Sequence, residues 1–250
     1  LPTTYLCGVN CPANPGAWQL HGVFHKKVRK QRKAGQDGGV GQQLDREVAE
    51  RMAQHAAQTG DEYGELLAKA MRYASKEDTR RAGKAYREAI VLRPDEPTAY
   101  YCLGDVLSES GHYVEAAQRY LETKELHPVG SECWARATAA SFNMLKLEEC
   151  DEVAKPEWWN EEGLKALSAR VVRAAPNLAS ANSMRALVLS GMAFGAWEGG
   201  ARSAAELKEA AAHFDRSATL EGAPALKAKK AQMADWCRRA AEQGAGGRDV

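Results

Sequence analysis

Four side chains near the start of the sequence have the types and spacing of a metal site. The pattern C-x3-C-x9-H-x3-H combines thiol and imidazole ligands, and its two histidines would share one face of a helix because they are four residues apart. Zn²⁺ prefers a tetrahedron of such sulfur and nitrogen ligands. The candidate metal ligands are Cys7, Cys11, His21 and His25.

The same pattern resembles a shortened two-cysteine, two-histidine zinc finger. Its central spacer has nine residues where the family has about 12, and Pro12, Pro15 and Gly16 stand where a finger forms its turn and starts its helix. The open alternative is an unstructured tail with free cysteines and solvated histidines, because motif matches this loose are common. Zinc is the one cofactor that the sequence suggests, and no other is expected.

A strongly basic run follows the second histidine. Six of the nine residues from His25 to Lys33 are Lys or Arg, a density that attracts phosphate groups or an acidic partner protein and also suits a localisation signal. A solvated basic tail is the alternative. The candidate contacts for an acidic partner or for phosphate are Lys26, Lys27, Arg29, Lys30, Arg32 and Lys33.

Charge therefore divides the chain unevenly. The 250 residues carry a net charge of +1, but the first 42 contain those six basic residues and only Asp37 as an acid, so they carry +5 and the remainder carries −4. Between the two parts, Ala34 to Gln43 is rich in Gly and Gln and predicts a flexible linker. We expect a basic arm over residues 1–42 and a separate domain over 43–250.

The composition predicts an all-α protein. Hydrophobic residues make up 44% of the chain and are rich in Ala rather than Val or Ile, and no run reaches the roughly 18 apolar residues of a membrane span. The six cysteines do not form a disulfide scaffold pattern, which favours an intracellular, reducing compartment. The sequence begins at Leu1 rather than Met, which fits a removed targeting peptide or a truncated start.

An internal period of 34 residues specifies the architecture. Five positions spaced through residues 73–94 recur 34 residues later, and four of the five pairs agree in size and character. The pairs are Tyr73 with Leu107, Ala82 with Ala116, Tyr86 with Tyr120, Ala89 with Thr123, and Pro94 with Pro128.

The stretch from Pro97 to Pro128 resembles a tetratricopeptide repeat. Tyr100, Leu103, Gly104 and Leu107 occupy the W-x2-L-G-x2-Y positions, Ala116 and Tyr120 occupy the A-x3-F positions, and Pro128 is the terminating proline. The resemblance implies a right-handed α-α solenoid of helix-turn-helix repeats. The charge distribution adds an extended basic amino-terminal arm before it.

The repeat register divides the domain into consecutive units. Two repeats match well, two match weakly, and an insertion of about 14 residues falls between Leu145 and Asn160 in the third. Ser75 and Asp78 resemble a capping box that starts the second helix of the first repeat. The predicted segments are repeats near 63–96, 97–130, 131–178 and 179–224, a helix before Gly60, and a polar-faced capping helix over 225–243.

Partner-binding residues follow from the resemblance, because the first helices of stacked tetratricopeptide repeats line a concave groove that holds peptides or other protein subunits. The open alternative is that these residues pack against neighbouring repeats. The groove candidates are Leu67, Met71, Tyr101, Asp105, Arg136 and Phe142.

Two further features bear on partners. Tetratricopeptide domains that hold chaperone carboxyl tails use a clamp of Lys, Asn and Arg, of which only Arg136 is present, so chaperone tails are not expected partners. The adjacent Trp158 and Trp159 are candidate partner contacts, with core packing as the alternative.

Catalytic patterns such as a phosphate-binding loop or a G-x-S-x-G elbow do not occur. We therefore expect a non-enzymatic interaction scaffold or adaptor within a larger assembly. The alternative is a nucleic-acid-associated protein that uses a zinc-binding, basic amino-terminal arm.

Overall fold

The computed structural model describes residues 38–192 and 200–246. Ten α-helices and one short 3-10 helix account for the regular structure of these residues, and no strand occurs among them. The chain divides into two compact units, Leu1–His127 and Pro128–Val250. The prediction of an all-α helical-repeat protein is confirmed.

The first unit is built from antiparallel helical hairpins joined by short turns. Successive helices pack against each other along the chain, α1 on α2, α2 on α3, α3 on α4 and α4 on α5. The helices are α1 (Gly38–Thr59), α2 (Glu62–Ala74), α3 (Thr79–Leu92), α4 (Pro97–Glu109) and α5 (Tyr113–Glu125).

Helix α1 begins and ends for different reasons. It ends before Gly60, as the sequence predicted, because this residue has a φ of +67°, which a glycine adopts at little cost. It begins at Gly38, however, inside the segment that composition assigned to a linker. Gln42 and Gln43 favour helix but the three glycines before them do not, so helix propensity alone does not account for this start.

The turn between α2 and α3 corrects one local prediction. Asp78, not Ser75, is the N-cap of α3, and its side chain accepts a hydrogen bond of 3.0 Å from the backbone N–H of Arg81. Ser75 instead ends α2, where its hydroxyl donates to the carbonyl of Arg72. The predicted capping box is wrong because Ser75 still belongs to the preceding helical turn.

Residues 34 apart in the first unit have matching environments. Ala82 and Ala116 are fully buried, Tyr86 and Tyr120 are 1% and 4% exposed, and Ala89 corresponds to the buried Thr123. The hydroxyl of Thr123 donates 2.8 Å to the carbonyl of Arg119, so this polar residue replaces an alanine without leaving an unpaired group. The sequence period is therefore a period of packing.

The described residues of the second unit form five α-helices around one apolar core. Trp134, Phe142, Leu164, Met184 and Phe214 are among its buried members. The helices are α6 (Glu132–Leu145), α7 (Glu161–Ala174), α8 (Ala179–Ser190), α9 (Ala204–Leu220) and α10 (Pro224–Gly246), with the 3-10 helix Glu148–Cys150 after α6.

The helix ends of this unit are capped by side chains. Ser131 caps α6, Asn160 caps α7, and Ser203 with Glu206 forms a reciprocal capping box at the start of α9. Residues 146–160 separate α6 from α7, which is where the sequence placed an insertion. The final helix α10 carries exposed basic residues as expected, but Trp236 is also 44% exposed, so its outer face is not wholly polar.

Candidate functional site

The predicted groove residues of the first unit lie mostly in its packed interior. Leu67 and Met71 on α2 are 6% and 5% exposed, and Tyr101 on α4 is 5% exposed. Asp105, one turn after Tyr101, keeps part of its surface open. The alternative reading, packing against neighbouring helices, describes the three apolar residues well.

Asp105 is held by a short hydrogen bond from α5. The hydroxyl of Tyr120 donates to Asp105 Oδ1 over 2.6 Å, and the ring of Tyr120 lies 5.2 Å from that of Tyr101. Burial and the Asp105 carboxylate raise the pKa of Tyr120 well above its usual value, so the phenol stays protonated and keeps donating. The result is a carboxylate fixed in position at the edge of α4.

Gly104 makes this arrangement possible. A Cβ at this position would lie 2.7 Å from Cε1 and 2.9 Å from Cδ1 of Tyr120, which is closer than side-chain carbons approach each other. The absence of a side chain therefore lets α4 and α5 pack with the tyrosine ring between them. The glycine of the W-x2-L-G-x2-Y pattern thus has a packing role in this repeat.

A second polar link in the first unit was not predicted from the sequence. Arg93, which ends α3, donates to Asp61 Oδ1 over 2.7 Å, and its guanidinium carbon lies 4.9 Å from the ring centroid of Tyr63. The two partners are about 30 residues from Arg93 in the chain. Only the hairpin that folds α3 back onto α2 brings them together, so no local pattern could show the contact.

The two groove candidates of the second unit both lie on α6. Phe142 is fully buried, whereas the side chain of Arg136 is 15% exposed and donates to Glu132 Oε1 over 3.1 Å. This bond joins residues four apart on one helix, a spacing that favours such pairs. Arg136 is thus a positioned cation, and Phe142 is part of the core.

The tryptophan pair stands in the insertion between α6 and α7, outside any helix. Trp158 and Trp159 are half-buried against the core of the second unit, with ring centroids 5.7 Å apart. Trp159 also lies 5.6 Å from Phe142. The sequence left core packing and partner contact open as alternatives for this pair. Packing accounts for much of the buried surface of both rings.

Lys155 secures the same insertion. Its ammonium group donates to the carbonyls of Leu145 over 2.9 Å and Cys150 over 2.5 Å, and it lies 5.3 Å from the ring centroid of Trp159. A cation on backbone carbonyls at the end of α6 complements the negative end of the helix. The insertion is therefore folded onto the unit that it interrupts.

An ion-pair network joins α7 to the start of α9. Glu161 pairs with Lys165 over 2.9 Å and with Arg202, and Lys165 also pairs with Glu206 over 2.6 Å. Hydrogen bonds from Arg202 and Lys165 lower the pKa of Glu161 to about 2, and those from Lys165 and Ser203 lower the pKa of Glu206 to about 2. The sequence shows only the Glu161 and Lys165 pair, because Arg202 is 41 residues from Glu161.

Several predicted site residues lie outside the described residues. They include the four candidate zinc ligands Cys7, Cys11, His21 and His25 and the six basic residues of the arm, so both interpretations stay predictions. Within 38–192 and 200–246, no group of three or more His, Cys, Asp or Glu residues could hold a metal ion. Over these two ranges, none of the helices combines the length and the hydropathy of a membrane span.

Comparison with known proteins supports the repeat architecture. A family model described as a TPR repeat, the tetratricopeptide repeat, matches residues 72–111, from the end of α2 through α3 and α4. No curated protein matches the chain significantly. Tetratricopeptide repeats generally mediate interactions between proteins, and the family is typically non-enzymatic. Together with the hairpins that repeat every 34 residues, the match over these 40 residues supports a helical repeat of the tetratricopeptide type in this part of the chain.

Proposed function

We propose that this protein is a non-enzymatic interaction scaffold, an adaptor or structural subunit that holds segments of partner proteins within a larger assembly. The observation that carries the proposal is the stacked pair of hairpins α2–α3 and α4–α5, because their repeated packing overlaps the family match over the end of α2, α3 and α4. Equivalent residues are buried in both repeats, so we propose this packed part of the chain as the support for partner segments.

We further propose Asp105 and Arg136 as polar contacts to partner segments, each on its own unit. Asp105 is fixed by Tyr120 and Arg136 by Glu132, so neither group loses much side-chain freedom when a partner pairs with it. The other groove candidates are too deeply buried to meet a partner directly, and in this proposal they pack beneath the surface that the partner contacts. They are Leu67, Met71, Tyr101 and Phe142.

The basic arm extends the proposal to residues 1–42. Its net charge of +5 suits an acidic surface on a partner protein, and nucleic acid phosphate is the competing ligand for the same residues. Because nuclease removes one ligand and leaves the other, a single treatment separates the two.

Co-purification of the full chain from its own source tests the function. We expect proteins to remain bound at physiological salt after nuclease treatment. We also expect Asp105→Asn to reduce their recovery, whereas Lys84→Gln, an exposed change on α3, should not. Recovery of no protein at all, or of proteins that nuclease releases completely, would contradict the proposal.

A further inference from the structure

The final helix α10 exposes large apolar side chains. It packs chiefly against α9, and its fully buried residues Ala234, Cys237 and Ala241 share one side of the helix. Leu226 and Trp236, however, are 41% and 44% exposed. A helix that closes the end of a repeat stack needs a polar outer face, so these two residues depart from that role.

The exposed residues belong to a regular pattern along α10. Six positions alternate in spacing by three and four residues, which is the spacing that lines up side chains where two helices pack side by side. All six fall within about 100° of the helix circumference, and the stripe that they form is about 26 Å long. We call this stripe the α10 seam. Its members are Leu226, Lys229, Met233, Trp236, Ala240 and Gln243.

The α10 seam is open along its length. Lys229 and Gln243 are exposed like Leu226 and Trp236, whereas Ala240 is half-buried and Met233 is half-buried against the core of the second unit. One edge of the seam therefore continues into the core, and the other edge faces outward. A second helix laid along the seam would cover its apolar residues.

The seam also carries positive charge without a partner in the described chain. Lys229 lies within it, and Arg239 lies beside it, one turn after Trp236. Both are exposed, and neither forms an ion pair or a side-chain hydrogen bond with any residue of 38–192 or 200–246. Two cations that flank an open tryptophan suit a ligand with carboxylates on either side of an apolar group.

The other charges of α10 do not balance these two cations. The acids Asp235 and Glu242 lie about 130° and 150° around the helix from the midline of the seam. Asp235 is also paired with Arg238 over 2.5 Å. The α10 seam is therefore apolar at its centre and purely cationic in charge.

These charges decide which occupant fits. A second copy of α10 would add further positive charge to the seam. Phosphate groups of nucleic acid would pair with the cations but leave Leu226 and Trp236 uncovered. A helix with an apolar stripe and acidic flanks covers the apolar residues and pairs with both cations, as flanking residues do in coiled coils. Tryptophan and arginine are also the residues that most often dominate the binding energy of protein interfaces.

We propose that the α10 seam binds an amphipathic helix of a partner protein, with Trp236 as the central apolar contact and with Lys229 and Arg239 paired with carboxylates of that helix. The proposal rests on the proposed function, since it adds a partner-binding surface of stated chemistry to the scaffold. It assigns this surface to α10, which is not one of the first helices of the repeats.

A helical peptide titration tests the site. The probe is a fluorescein-labelled peptide of three heptads with Leu at the two seam positions, Glu at the two flanking positions, Ala and Gln elsewhere, and blocked ends. Its control has Gln in place of every Glu. Both are measured by fluorescence anisotropy with the full chain, in which the six basic residues of 26–33 have been changed to Gln so that the arm does not bind the peptide.

We expect the Glu peptide to bind and the Gln peptide to bind about tenfold more weakly, with the difference shrinking as salt is added. Trp236→Ala should weaken binding of the Glu peptide about tenfold, and Lys229→Gln and Arg239→Gln about threefold each. Lys227→Gln is the matched control, because Lys227 is an exposed lysine of α10 on the side away from the seam. It should leave binding unchanged, as should Val91→Ala, which shortens an exposed apolar residue of α3.

A charge reversal keeps the test independent of folding. The double variant Lys229→Glu with Arg239→Glu changes only exposed side chains, so its circular dichroism spectrum should match that of the parent chain. It should lose the Glu peptide and bind a third peptide with Lys in place of Glu more tightly than the parent chain does.

Equal binding of the Glu and Gln peptides, binding of neither, or equal effects of Lys227→Gln and Lys229→Gln would overturn the proposal. So would self-association of the full chain that Trp236→Ala abolishes, which would assign the seam to a second copy, or tighter, Lys229-dependent binding of a ten-residue oligothymidylate. None of these outcomes concerns the first-unit contacts that Asp105→Asn probes in the co-purification experiment, so failure of the seam and failure of the scaffold function are separate results.

Discussion

Replacing Gly104 with alanine should destabilise the first unit, although alanine is the better helix former. The new Cβ would lie 2.7 Å from Cε1 of Tyr120, and the ring cannot easily retreat because it is 4% exposed and its hydroxyl is bonded to Asp105. Overpacking of this kind costs about 1–3 kcal/mol, whereas the change from glycine to alanine inside a helix gains about 1 kcal/mol. We expect a net loss of about 1 kcal/mol.

Gly83 on α3 provides a matched control. A Cβ there would meet Arg87 Nη1 at 3.4 Å and Leu103 Cδ1 at 3.7 Å, and these are ordinary contacts with a flexible and an apolar side chain. Gly83→Ala should therefore stabilise the unit by about 0.5–1 kcal/mol through helix propensity alone. The two variants should differ by about 2 kcal/mol.

Hydrogen exchange of residues 79–125 is the suitable assay. The described tryptophans all lie in the second unit, so tryptophan fluorescence would not report on this change. A difference of about 2 kcal/mol corresponds to roughly thirtyfold faster exchange in Gly104→Ala than in Gly83→Ala. In a Tyr120→Leu background, the cost of Gly104→Ala should disappear. Equal protection of the two alanine variants would refute the steric reasoning.

Three further outcomes follow from the structure. Asp78→Ala should destabilise α3 by about 1 kcal/mol and Ser75→Ala by clearly less, because Asp78 is the N-cap; urea unfolding compares them. Tyr120→Phe should cost about 1–2 kcal/mol in the same assay, since it removes the bond to Asp105. The pKa values of Glu161 and Glu206 are lowered to about 2 in the folded chain, so their ion pairs stabilise it above pH 4.5 and are lost as the pH falls towards 2. Glu161→Gln should therefore lower stability by about 1 kcal/mol at pH 6, after allowance for solvent screening, and by almost nothing at pH 2 in thermal unfolding.

The repeat architecture could be predicted because residues of matching size and character recur every 34 positions in the two repeats that match well. Small residues where helices cross, such as Gly104 and Ala116, and the large residues that fill the space beside them recur at fixed spacing. The same register placed an insertion between α6 and α7, because the distance to the next terminating proline was too long.

The exact ends of the helices and the polar contacts between distant residues could not be predicted from the repeat pattern. Ser75 and Asp78 are both good N-caps, and only the backbone decides which of them ends one helix and which starts the next. The contact of Arg202 with Glu161 depends on how α9 packs near α7.

The burial of the candidate groove residues also could not be predicted from the repeat pattern. Repeat register correctly assigns Leu67, Tyr101 and Phe142 to first helices, but it does not state how much of each side chain the neighbouring elements cover. All three are buried, so our proposal assigns partner contact to two polar residues nearby that are partly exposed, Asp105 and Arg136. Exposure depends on packing at each position, which a repeat pattern averages over.

The central claim is that the first helices of the repeats meet a protein partner. A photo-crosslinking amino acid at position 108, on the partly open side of α4, tests it most directly when compared with one at position 84 on α3. The scaffold account predicts crosslinks to a defined protein from position 108 in cells of the natural source, and few or none from position 84. Equal crosslinking from both positions, or crosslinks to no protein at position 108, would contradict it.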